Sequence, residues 1–92
     1  MRVRVHFLGG LVKYAQEATL ELDLSENPTL KELCSEVGKR YENSFPASLW
    51  DKEEKTFHPP LFILGKNRDL RDPGEILLPD EDIYFLLPLA GG

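Results

Sequence analysis

The 92-residue sequence has a single cysteine, Cys34, so it can form no internal disulfide and hold no multi-cysteine metal or iron–sulfur centre. That usage suits a reducing cytoplasm, and the cytoplasm is the expected location. Histidine is scarce as well. His6 and His58 are far apart, and neither has a cysteine or carboxylate at ligand spacing, so no metal site is expected. Long apolar runs are missing. The opening Met1-Arg2-Val3-Arg4-Val5 is too short for a signal peptide, and no stretch approaches the length that spans a bilayer.

Basic residues are in deficit, 11 against 16 acidic ones, for a net charge of −5. A nucleic-acid partner is bound largely through Lys and Arg, so this balance argues against one and favours a basic protein partner. The sequence also contains no Walker-type GxxxxGK[ST], no dinucleotide-binding GxGxxG, and no grouping of nucleophile, base and cofactor ligand. A stand-alone enzyme is not expected, and neither is a cofactor bound by this chain.

What remains is an ordinary globular composition, 41% apolar with nine aromatic residues, sized for one small domain. Val3, Val5 and Phe7 alternate with Arg2, Arg4 and His6, the period of a half-buried strand, and Gly9-Gly10 supplies a flexible turn. Leu20, Leu22 and Leu24 then alternate with Thr19, Glu21 and Asp23, giving an N-terminal antiparallel hairpin. Leu30, Leu33, Cys34, Val37 and Tyr41 fall on one helical face. Thr29 is the expected N-cap, with Glu32 closing a capping box onto the Thr29 N–H, and Cys34 lies on the apolar stripe as a buried small hydrophobe.

From Asn43 to Pro60 the periodicity fails, and the segment reads as a long connecting loop whose aromatic residues pack under the domain. Leu61-Phe62-Ile63-Leu64 reads as a buried strand, Asp69-Leu70-Arg71 as a brief return, and Ile83 to Leu87 as a final strand that Pro88 ends. The first and last strands are the most continuously apolar, so they form the expected central pair, with the chain ends close together. The fold class is therefore α+β, a mixed sheet of about five strands covered by one main helix, with residues 1–87 as the domain and 88–92 as a tail.

Parity along the last strand places Ile83, Phe85 and Leu87 inward. Tyr84 and Leu86, joined by His6, then form an exposed patch for a partner, unless both faces of the sheet are buried. Asp80, Glu81 and Asp82 either steer a basic partner or form a solvated turn.

The opening strand Val3-Arg4-Val5-His6-Phe7, the helix start Pro28-Thr29-Leu30-Lys31-Glu32-Leu33, Leu61-Phe62-Ile63-Leu64-Gly65, the acidic turn Pro79-Asp80-Glu81-Asp82 and the final Pro88-Leu89-Ala90-Gly91-Gly92 together resemble the ubiquitin-like sulfur carriers (MoaD/ThiS-like). The resemblance covers nearly the whole chain and is nearest the small subunit of molybdopterin synthase. It implies a β-grasp fold. It also implies that an E1-like adenylating enzyme uses ATP to activate the carboxylate of Gly92 and that a sulfur donor converts it to a thiocarboxylate. The large subunit of molybdopterin synthase, or another sulfur acceptor, then consumes the sulfur. Pro88, Leu89, Ala90 and Gly91 would thread the tail into these partners, glycine being able to lie where a Cβ would clash. Thiamin synthesis, tRNA thiolation and conjugation to protein lysines remain alternatives, as does an interaction module without tail chemistry.

Overall fold

The computed structural model describes residues 1–88. The opening alternation forms β1 (Arg2–Gly9), with Val3, Val5 and Phe7 buried and Arg2 and Arg4 exposed. Gly9 ends the strand at φ +66°, and a Cβ there would also run into the Leu87 carbonyl oxygen. The connection that follows is not a simple glycine turn. Leu11 and Ala15, one helical turn apart, bury together in the one-turn helix α1 (Leu11–Ala15), which Gln16 ends in a left-handed conformation. Strand β2 (Thr19–Asp23) then returns antiparallel to β1, from Arg2 opposite Asp23 to His6 opposite Thr19.

Helix α2 (Leu30–Arg40) starts at Thr29, whose Oγ1 accepts the Glu32 N–H at 3.2 Å. The other half of the expected capping box goes elsewhere. Ser25 offers both its N–H and its hydroxyl, and the Glu32 carboxylate accepts these at 2.9 and 2.6 Å. The apolar stripe buries Leu30, Leu33, Cys34 and Val37 against the sheet, as the spacing predicts.

The segment 43–60 is more ordered than a connecting loop. It contains a small hairpin of β3 (Trp50–Asp51) and β4 (Thr56–Phe57), with Trp50 opposite Phe57. Its charged run forms the turn, where Asp51 accepts the N–H groups of Glu53 and Glu54, each at 3.0 Å. The aromatic residues do pack inward. Trp50 is buried on Gly38 of α2, so closely that a Cβ on that glycine would enter the indole ring.

Strands β5 (Phe62–Gly65), β6 (Arg68–Asp69) and β7 (Asp82–Leu87) complete a five-stranded mixed sheet in the order β2-β1-β7-β5-β6, with α2 over one face. The expected pairing of first and last strands is present and is parallel, from Arg4 beside Asp82 to Gly9 beside Leu87. The expectation that the chain ends lie close together is overturned as far as the described residues reach: parallel neighbours run the same way, so the start of β1 and the end of β7 lie at opposite ends of the two strands.

Candidate functional site

The residues to be placed are those of β7 and the surface around its end. Ile83 and Phe85 are fully buried, Leu87 packs against the core, and Tyr84 and Leu86 point to the opposite face, half-buried. Among the described residues no helix covers that face, and cross-strand pairing arranges it in rows. Leu8 of β1, Leu86 of β7 and Phe62 of β5 form one row beside the exit of the chain. His6, Tyr84 and Leu64 form the next, followed by Arg4 beside Asp82. Leu8 and Phe62 are 41% and 49% exposed, so the first row presents a contiguous apolar surface to solvent. The face thus grades from apolar at the exit of β7 to charged at its start.

The expected trio of His6, Tyr84 and Leu86 is brought together. The imidazole stacks on the Tyr84 ring with centroids 4.8 Å apart. His6 Nε2 lies 2.9 Å from Asp82 Oδ1, and Nδ1 lies 3.4 Å from the Thr19 hydroxyl. The hydrogen bond from His6, with Arg4 Nη1 at 3.4 Å, holds the Asp82 carboxyl below the usual carboxylate range despite some desolvation. This network fixes the ring plane that the patch presents. Leu8, Phe62 and Leu64 escaped sequence reasoning, although Leu8 continues the outward parity of Arg2, Arg4 and His6.

The acidic turn is neither a solvated run nor a steering patch as a whole. Glu81 is buried and accepts from Arg68 Nη2 at 2.7 Å, from Arg68 Nε at 3.1 Å, and from the N–H groups of Lys66 and Leu78, each at 3.0 Å. Burial opposes its charge, but these donors more than offset that and keep its pKa below the ordinary 4.5. Asp82 is committed to His6 and Arg4, which leaves Asp80 exposed to solvent. The turn therefore anchors β7 to β5 and β6.

At the end of β7 the Leu87 carbonyl accepts the Gly10 N–H at 2.9 Å, and Pro88 follows, exposed. The remaining expected tail residues, Leu89, Ala90, Gly91 and Gly92, lie outside the described residues. Cys34 is buried, and desolvation pushes its thiol up to about 12, which leaves it protonated and unreactive. His58 sits on the hairpin, 3.9 Å from Asp51. Among the described residues no three His, Cys, Asp or Glu side chains converge in a way that could hold a metal ion, and no helix is long and apolar enough to cross a membrane.

Neither a family model nor a curated protein matches the sequence. Solved structures do match. SAMP1 from Haloferax volcanii, a small archaeal modifier protein, superimposes with a TM-score of 0.81 at 13% identity, covering 100% of both chains. Urm1 from Trypanosoma brucei gives 0.74 at 24% identity over 99% of this chain and 95% of that one. A putative molybdopterin converting factor, subunit 1, from Pyrococcus furiosus gives 0.75 at 20% identity, covering 96% and 98%. A five-stranded mixed sheet crossed by one main helix, shared with these proteins over nearly their whole length, is the ubiquitin-like β-grasp fold, and that is the fold of this chain.

Proposed function

We propose that this chain is a sulfur carrier, a protein co-substrate rather than an enzyme, whose reacting group is the carboxylate of Gly92. The observation that carries this reading is positional. An apolar row of Leu8, Leu86 and Phe62 lies on the open sheet face where β7 ends, and the sequence continues from that point as Pro88-Leu89-Ala90-Gly91-Gly92. A partner that docks on the row is positioned to receive the tail. Leu87, held through its carbonyl to Gly10, fixes the point of departure. Pro88 has a set φ and restricts the residue before it to extended conformations, which lowers the ordering cost of threading.

A free carboxylate is a poor acylating group. In the proposed cycle an E1-like partner binds ATP, and a Gly92 carboxylate oxygen attacks the α-phosphorus and expels pyrophosphate. A sulfur nucleophile then displaces AMP at the carbonyl carbon, leaving a thiocarboxylate for a sulfur-accepting enzyme. Gly91 and Gly92, without side chains, permit the close approach that both displacements need. Molybdopterin synthesis is the first candidate pathway, in keeping with the similarity to a putative molybdopterin converting factor subunit. A second reading, in which the activated tail is joined to protein lysines, is favoured by the similarity to a modifier protein.

Extending the chain by a residue beyond Gly92, or the substitution Gly92→Ala, tests the reading in an assay with the cognate activating enzyme. A carrier loses transfer with either change, while its thermal stability stays the same. Unchanged function in both variants would indicate a binding module whose tail has no chemistry.

A further inference from the structure

A groove of about 550 Å³ opens between α2, β4, β5 and the segment after β6. Its floor is apolar, formed by Leu30, Phe57, Leu61, Ile63 and Leu70, and three of these, Phe57, Leu61 and Ile63, are only half-buried. Its rim is positive. Lys31, Lys55 and Arg71 line it against the single carboxylate of Asp69, which Arg71 Nη2 already holds at 3.1 Å, so a net-positive mouth stands on a chain of net charge −5.

We propose that this groove binds a small free carboxylate with an apolar body, such as a medium-chain fatty acid, its alkyl chain on the floor and its carboxylate among Lys31, Lys55 and Arg71. The size lies within the range of small-molecule sites, and an apolar floor with a few charged groups at the mouth suits an amphipathic ligand. Phosphate esters fit less well. The first N–H groups of α2 are occupied, Leu30 donating to the Glu75 carbonyl at 2.9 Å and Lys31 to that of Pro73 at 3.0 Å, so no backbone cradle faces the groove. An extended peptide fits less well too. Strand β5 is paired with β7 from Phe62 to Leu64 and with β6 at Leu64 and Gly65, and the wall beside it is built from Pro59, Pro60 and Pro73, which have no N–H to offer a main chain.

Titration of the full chain with decanoate below its micelle concentration, followed by methyl and amide NMR, tests the proposal. Decanol and decyltrimethylammonium serve as the neutral and cationic comparators. Saturable shifts at Leu61, Ile63 and Leu70, and affinity about tenfold weaker in Lys31→Glu and Lys55→Glu, are expected. Both lysines are exposed, so these variants leave the fold intact. Equal binding of the three amphiphiles, no saturable shift, unchanged affinity in both variants, or shifts centred on Leu8 and Leu86 would each overturn it.

Discussion

Replacing Glu81 by Gln keeps the side-chain shape and removes its charge. All of its partners are donors: two Arg68 nitrogens and the N–H groups of Lys66 and Leu78, all within 3.1 Å. Only a carboxylate offers acceptors on both oxygens. Gln turns an NH₂ group towards two of these donors, which leaves them unsatisfied in a buried site. Breaking a buried ion pair costs about 3–5 kcal/mol. Arg68 retains 30% exposure and a second bond to the Ile76 carbonyl, so it rehydrates in part, and the expected loss falls to about 2–3 kcal/mol. The stabilisation also has a defined pH dependence. The folded-state pKa lies below the ordinary 4.5, so the contribution of Glu81 is complete above that value and disappears as pH falls through the folded-state pKa. Guanidinium titrations of both proteins should show the midpoint shifted at constant slope, with the gap widest near about pH 7 and closing below about pH 4. A gap that stays the same down to about pH 3, or one under about 0.5 kcal/mol at neutral pH, would refute the role assigned to this carboxylate.

Leu8→Asp and Leu86→Asp place charge in the apolar row and should each weaken binding of an E1-like partner at least about tenfold in calorimetry, with the fold kept. Unchanged affinity would remove this face from the interface. Gly38→Ala pushes a Cβ into the Trp50 ring and should cost about 1–3 kcal/mol by denaturant midpoint. Cys34, with its thiol near 12 and its side chain buried, should react with a disulfide reagent at pH 8 at least about a hundredfold more slowly in the folded chain than in denaturant.

The elements that carry their own period were legible in the sequence: the β1 and β2 alternations, the α2 stripe from Leu30 to Val37, and the inward Ile83 and Phe85 of β7. The hairpin of β3 and β4 was not, because each strand is two residues long. What holds it is Trp50 on Gly38, a contact twelve residues apart that no local pattern encodes. Glu81 sits between two aspartates and is indistinguishable from them by composition. Its burial depends on Arg68, thirteen residues earlier, meeting it across β5 and β6. Of the docking face, Tyr84, Leu86 and His6 followed from parity, whereas Phe62 and Leu64 joined it only once the register of β5 against β7 was known. The parallel sense of β1 and β7, which separates the start of β1 from the end of β7, is set by the connections between elements rather than by either strand alone.

The central claim is that Gly92 carries sulfur, and intact mass spectrometry with fragmentation of the C-terminal peptide tests it most directly. The chain is incubated with ATP, a cognate activating enzyme and a sulfide source. Localisation is essential, because exchange of oxygen for sulfur adds nearly the same nominal mass as one oxidation of Met1 or Cys34. The account predicts a single sulfur in place of oxygen on the Gly92 carboxyl group. An unmodified C-terminal peptide, with an enzyme that is active on another carrier, would contradict it.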